Sequence, residues 1–453
     1  MASQGTSDPI VALATPFGES ALAVLRLSGP DLSGTSRDIF GRVLAPRQAT
    51  FAAYRDRKGE VLDEVVATLF SGPRSYTGED VLEISCHGNP LICEKLLTDI
   101  QQRGFRAAEP GEFTKRAFLN GKMDLSQAEA VIDLIRARGD RALEAARYQI
   151  KGVLGDRIRS YVDRLLQILA EIEAYIDFPE EDLPPEDHGG PLASLQTLLS
   201  DTMRLAATSH YGALLREGVK VALIGAPNAG KSSLLNLLLS RERALVSDRP
   251  GTTRDFLEET VHIGKHCLRI LDTAGLHDSA DPLEKAGMDK TIEQLKLADL
   301  CLWVMDRQNP AFELPGEARQ ALPANRTFVL LNKWDLSSDR PGEGVPGEFP
   351  ILDISAKTGD GLEDLIRAMD QLIEKEKPGH QRDWIAVSAR HAEALQEARE
   401  ALQKALEMLR REEPVELAAS ELHNARQSFA RIIGTIDNEE MLDRLFASFC
   451  IGK

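Results

Sequence analysis

The octet GAPNAGKS at Gly225–Ser232 constrains this chain more than any other stretch. It follows the apolar run VKVALI (Val219–Ile224) and precedes LLNLLL (Leu234–Leu239), so it stands where a buried strand turns into a helix. That is the context of a phosphate-binding loop. Gly225 and Gly230 let the backbone turn its N–H groups inward around phosphate oxygens, at a helix N-terminus whose dipole favours an anion. Lys231 brings a mobile positive charge to the outer phosphates, and the Ser232 hydroxyl suits Mg²⁺.

Four further strings follow in fixed order, three of them at the end of an apolar run that reads as a parallel strand. DTAG (Asp272, Thr273, Ala274, Gly275) follows CLRIL; Asp272 can hold Mg²⁺ through water and the Gly275 N–H can meet the γ-phosphate. NKWD follows FVLL, and SAK (Ser355, Ala356, Lys357) follows PILDI. GTTRD (Gly251–Asp255) lies in the polar loop between, where a Thr can complete the magnesium shell while the γ-phosphate is present. NKWD identifies the base. The Asp335 carboxylate can accept from the ring N–H and the exocyclic amine of guanine, whereas adenine presents no matching donor pair, so ATP is rejected. Asn332 is expected on the far side of the base, the Lys333 stem over its face, and the Ala356 N–H on the guanine oxygen. The expected fold is a GTP-binding domain of the doubly wound α/β type.

Signalling GTPases of the Ras type place a Gln directly after DxxG to orient the attacking water; here that position is Leu276. Two residues are candidates to supply the missing help: Glu284, in HDSADPLEKAG, to orient water, and Asn228, in the phosphate loop, to hold a second cation. A surface Glu and a loop Asn are more often structural.

At 453 residues the chain is too long for one core. The residues up to about Gly121 alternate short apolar runs with turn signals, as in a small α+β domain. Two islands there, Ser75–Pro90 and Glu109–Leu125, are more polar and Gly-rich than strand packing needs, although turn chemistry alone explains each. His87 reads as a hydrogen-bonded core or rim residue rather than a metal ligand, since no second His or paired Cys stands at ligand spacing. From Leu125 the period becomes helical, and helices are expected again at Ser388–Arg411 and Leu417–Phe449. The organisation expected is 1–121, α+β; 122–216, first helical half; 217–378, nucleotide domain; 379–453, second helical half.

Fifty-four Lys and Arg against 71 Asp and Glu argue against broad coating of nucleic acid or an anionic membrane. Between Arg103 and Arg164 the balance is reversed, thirteen against nine, which reads as a solvated helix face before it reads as an RNA surface. No apolar run approaches a membrane span and no leader is visible, so a cytoplasmic location is expected. The five cysteines show no CxxC, so neither a disulfide framework nor a zinc site is indicated.

Together these strings resemble the MnmE (TrmE) family of tRNA-modification GTPases over the whole chain. The marks are GAPNAGKS, GTTRD, DTAGL, LEKAG, NKWD and CIGK (Cys450–Lys453), with TPFG, LRLSG, TGEDVLE, HGNP and PGEFTKRAFLNGKMDL. The resemblance implies a cytoplasmic homodimer paired through the N-terminal domain. It implies a complex of heterotetramer type with an FAD-dependent partner, MnmG (GidA), that installs an aminomethyl or carboxymethylaminomethyl group on carbon 5 of the wobble uridine of certain tRNAs. It also implies nucleotide domains that pair across K⁺. Asn228, Ser247, Arg249 and Thr252 would surround that K⁺, Ser232 and Thr253 would bind Mg²⁺, and Glu284 with Lys231 would serve hydrolysis. The nucleotide-binding set adds Ala229, Gly230, Ser233, Asp248 and Pro250. Arg26, Glu83, Lys122 and Lys453 would hold formyl-tetrahydrofolate, and Cys450 matches a family cysteine. The alternative, a GTP-gated RNA or ribosome-assembly factor, expects an RNA-binding module or basic tail that this sequence does not show.

Overall fold

The computed structural model describes residues 8–177, 189–243, 258–272, 292–310, 314, 316–337, 344–375, 385, 387–434 and 439–452. They fall into two compact units, one of residues 1–132, 149–198 and 400–453, the other of 133–148 and 199–399. An α/β domain is thus inserted in sequence between helical stretches.

The first unit carries a sheet of β1 (Ile10–Leu13), β2 (Ser20–Gly29), β3 (Thr50–Arg55), β4 (Val61–Phe70), β5 (Asp80–Gly88) and β6 (Arg106–Ala107), in the order β3-β4-β5-β2-β1-β6. Only β1 and β6 run parallel; the other neighbours are antiparallel. Alternation explains the pattern: Leu25 and Leu27 of β2 face Leu82 and Ile84 of β5 in a core closed by Leu96 and Ile100 of the helix Pro90–Gln102. Buried Tyr54 donates to Asp99 Oδ2 at 2.7 Å, and Arg103 holds the same carboxylate. The helices Val153–Asp177 and Val415–Ile433 pack along each other, with Tyr161 edge-on to Phe429 at 5.7 Å.

The two polar islands lie against each other. Asn120 Nδ2 donates to the Thr77 carbonyl at 2.8 Å, Lys122 Nζ to the Pro73 carbonyl at 2.8 Å, and Arg116 pairs with Glu79 at 2.9 Å. They stitch the connection between β4 and β5 to the helix Glu112–Leu119 and to the turn that follows it, a role beyond local turns. His87 sits at the rim, its Nδ1 2.8 Å from Asp63 Oδ1.

The second unit carries β7 (Val219–Ile224), β8 (Glu258–Ile263), β9 (His266–Asp272), β10 (Leu300–Asp306), β11 (Thr327–Asn332) and β12 (Ile351–Asp353). Their order in the sheet is β12-β11-β10-β7-β9-β8, parallel except for the antiparallel β8/β9 hairpin. β7, β10 and β11 are near-continuously apolar because helices cover both faces of a parallel sheet.

The expected helix Leu417–Phe449 is two helices, Val415–Ile433 and Glu439–Ala447. The first ends at Gly434, in the left-handed region at φ 81°, where a Cβ would come within 2.8 Å of Leu125 and Phe118. Cys86, Cys93, Cys267 and Cys301 are buried and in the reduced thiol form, and burial pushes Cys86 and Cys301 up to about 12. Cys450 is exposed. Among the described residues no helix is long and apolar enough to cross a membrane.

Candidate nucleotide site

At the C-terminal end of β7 the chain turns through Gly225 into the helix Lys231–Arg243. Gly225 sits at φ 144°, and a Cβ there would lie 2.0 Å from the Val304 carbonyl oxygen of β10. Gly230, at φ 102°, would place one 2.0 Å from Asn332 Nδ2. Both positions therefore demand glycine. Lys231 Nζ donates to the carbonyls of Gly225 and Ala226 at 2.7 and 2.9 Å, which folds the ammonium over the loop.

Strands β11 and β12 end beside this loop and deliver the other two strings. A cavity of about 410 Å³ opens there, walled on one side by Asn228, Gly230, Lys231, Ser232 and Ser233, on the other by Asn332, Lys333, Asp335, Ala356 and Lys357. Leu336, which the motif reading passed over, also lines it. Residues more than a hundred positions apart are brought to one edge of the sheet, the switch-point crevice in which doubly wound folds bind nucleotides.

Asn332 is buried and spans the site. Its Nδ2 donates to the Ala229 carbonyl at 2.7 Å and its Oδ1 accepts from Ala356 N at 2.9 Å, so it clamps the phosphate loop to SAK. An amide carries two N–H groups, which leaves one for a base. The Ala356 N–H assigned to the guanine oxygen is here engaged by Asn332. Ser355 Oγ donates to Asp335 Oδ1 at 2.7 Å and orients the carboxylate expected to read guanine. Lys333, at φ 70°, pairs with Asp306 Oδ2 at 2.6 Å.

Asp306 was not among the expected residues. Its signal was available, because it ends the apolar run LCLWVM as Asp272 ends CLRIL and Asn332 ends FVLL. Asp272 closes β9, and nothing of its side chain is described. Ser247, Asp248, Arg249, Pro250, Gly251, Thr252, Thr253, Thr273, Ala274, Gly275 and Glu284 lie outside the described residues.

Of the positions matched to folate binding, two meet. Arg26 pairs with Glu83 at 2.8 Å, lies 5.6 Å from the Tyr76 ring centroid and 5.8 Å from that of Phe113, and donates to the Gly452 carbonyl at 2.9 Å. The CIGK segment thereby docks on the sheet of the same unit, where Gly111 N also donates to the Cys450 carbonyl at 3.3 Å. Lys122 is held on the Pro73 carbonyl, and Lys453 lies outside the described residues.

A family model described as the MnmE helical domain matches residues 125–450, and one described as the N-terminus of the GTP-binding protein TrmE matches residues 9–122. The chain is 50% identical over 447 residues to the tRNA modification GTPase MnmE of Opitutus terrae, across 98% of this chain and 99% of that protein. Identity is 43% over 450 residues to the MnmE of Akkermansia muciniphila, across 98% of each. It is 40% over 450 residues to that of Aquifex aeolicus, across 98% of this chain and 100% of the relative. With two family models and relatives matched from end to end, the chain belongs to the MnmE family.

Proposed function

We propose that this chain is a GTP hydrolase that acts in tRNA modification. The observation that carries the reading is the single cavity in which the phosphate loop, NKWD and SAK meet, with Asn332 tying all three together. Ser232 lines that cavity, and a seryl hydroxyl is a hard oxygen donor suited to Mg²⁺. The exposed Asn228, at φ 62° on the lip, presents a carboxamide oxygen suited to a cation such as K⁺.

The finer reading rests on the family. GTP hydrolysis stimulated by K⁺ opens and closes paired nucleotide domains of a homodimer, and an FAD-dependent MnmG-like partner shares in adding an aminomethyl or carboxymethylaminomethyl group to carbon 5 of the wobble uridine. Ser247, Arg249 and Thr252 complete the K⁺ shell, Thr253 the Mg²⁺ shell, and Glu284 orients water. The Arg26–Glu83 pair beside Gly452 takes part in holding a formyl-tetrahydrofolate, whose glutamate carboxylates and pteridine suit a guanidinium and a carboxylate. The division 1–121, 122–216, 217–378 and 379–453 separates these tasks.

GTP turnover in KCl against NaCl at equal ionic strength, across protein concentration, tests the mechanism. Stimulation by K⁺ that grows with protein concentration is expected; equal rates in the two salts would sink the cation-dependent pairing while leaving the GTP site in place.

A further inference from the structure

We propose that Arg307, with its neighbour Asp306, is a positioning residue for guanine recognition: it sets the spacing between the two loops that read the base without lining the cavity itself. The inference rests on the reading of that cavity as a GTP site.

β10 ends at Asp306 beside β11, with Asp306 in register with Asn332. The next residue, Arg307, has only 4% of its surface exposed, although arginine is among the residues least often buried. Its backbone N–H donates to the Asn332 carbonyl at 3.0 Å, which grips NKWD at its first residue. Its guanidinium NH1 pairs with Asp353 Oδ1, and Asp353 is the last residue of β12, two before Ser355. One buried residue thus ties the start of NKWD, through its backbone N–H, to the strand that delivers SAK, through its guanidinium.

Asp306 acts on the same loop from the other end of its own carboxylate. Oδ1 accepts from Gln308 N at 3.0 Å, which fixes the turn, and Oδ2 holds Lys333 Nζ at 2.6 Å. Lys333 occupies the left-handed region, which is unfavourable for a non-glycine residue. The ion pair offsets that cost and sets the direction in which Trp334 and Asp335 leave. Two further bonds complete the coupling: Ile354 N donates to the Leu331 carbonyl at 3.0 Å, and Trp334 N to the Ile354 carbonyl at 3.1 Å.

None of Asp306, Arg307 and Asp353 lines the cavity. Their importance is geometric. A carboxylate that must accept two parallel N–H bonds loses one of them when displaced by a fraction of an ångström, because hydrogen bonds weaken steeply with angle. The Ser355–Asp335 bond spans the two loops, so a change in their spacing moves Asp335 directly.

The experiment compares binding of GTP with inosine triphosphate, which lacks the exocyclic amine and so reports the second of the two carboxylate bonds. Arg307→Ala should weaken GTP about tenfold and inosine triphosphate less, so that the ratio of the two affinities falls; Arg307→Lys, which keeps a cation for Asp353, should recover part of it. A general loss of folded protein lowers both affinities equally and leaves the ratio unchanged, and a wild-type ratio in folded Arg307→Ala overturns the proposal. If Arg307→Ala does not fold, Asp306→Asn decides by the same ratio, since it releases Lys333 at constant volume. Failure of the underlying GTP reading is distinguishable, because the unaltered protein would then show no preference for GTP over ATP.

Discussion

At the scale of single residues the site is a set of polar atoms each held by another. Asp335 is oriented by Ser355, Lys333 by Asp306, and Asn332 bridges two loops with both ends of its amide. Replacing Asp335 by Asn turns an acceptor pair into one acceptor and one donor, which matches xanthine better than guanine. Asp335→Asn should therefore shift preference from GTP to xanthosine triphosphate, measured as relative affinity or turnover; retained GTP selectivity would refute the assignment. That the described motif residues would gather at one cavity was legible, because phosphate and guanine chemistry restricts which side chains can serve at fixed spacing. Arg307 and Asp353 were not, because an ion pair between residues 46 apart leaves no trace in local pattern. Within the Lys and Arg surplus of residues 103–164, Arg103, Arg106, Arg116, Arg141 and Arg159 each pair with a carboxylate, some nearby in the chain and some distant.

At the scale of elements, the turn from β7 into the helix Lys231–Arg243 supplies one wall of the candidate site. Its strand is apolar because it is central, and its loop is glycine-rich because the backbone of β10 and the Asn332 amide approach too closely for a side chain. Gly230→Ala should push the Asn332 amide off the Ala229 carbonyl. The expected result is loss of nucleotide binding by titration, with a stability loss of roughly 1–3 kcal/mol by denaturant unfolding from the unpaired buried amide. Wild-type affinity in that variant would show that the clamp is dispensable. Element boundaries were less legible than element types. Helical periodicity continues from Leu417 towards Phe449, but the first helix ends at the left-handed Gly434 cap, where Leu125 and Phe118, far earlier in the chain, leave no room for a side chain.

At the scale of the molecule, the first unit depends on a buried charge network that makes its stability sensitive to acid. Burial alone would raise the Glu112 carboxyl, but Arg106 at 2.6 Å, the Glu109 N–H and Arg116 together hold it below the usual carboxylate range. A carboxyl lowered in the folded state contributes stability that is present above its unfolded value and is lost as pH falls through the folded one. Denaturant unfolding at a series of pH values should show Glu112→Gln less stable than the unaltered protein at neutral pH, with the two converging in acid; a constant gap would assign the loss to packing. By itself the sequence determined the chemistry and the class of fold. Apolar runs of the right length specify parallel strands, and GAPNAGKS, NKWD and SAK point to a nucleoside triphosphate and its base, because these are properties of short, contiguous segments. Only the tertiary structure decided what holds those segments at their working distances: Asn332 between two loops, Arg307 between two strands, and Gly452 against Arg26. Those contacts join residues far apart in the chain, and long-range packing, not local pattern, selects which side chains meet.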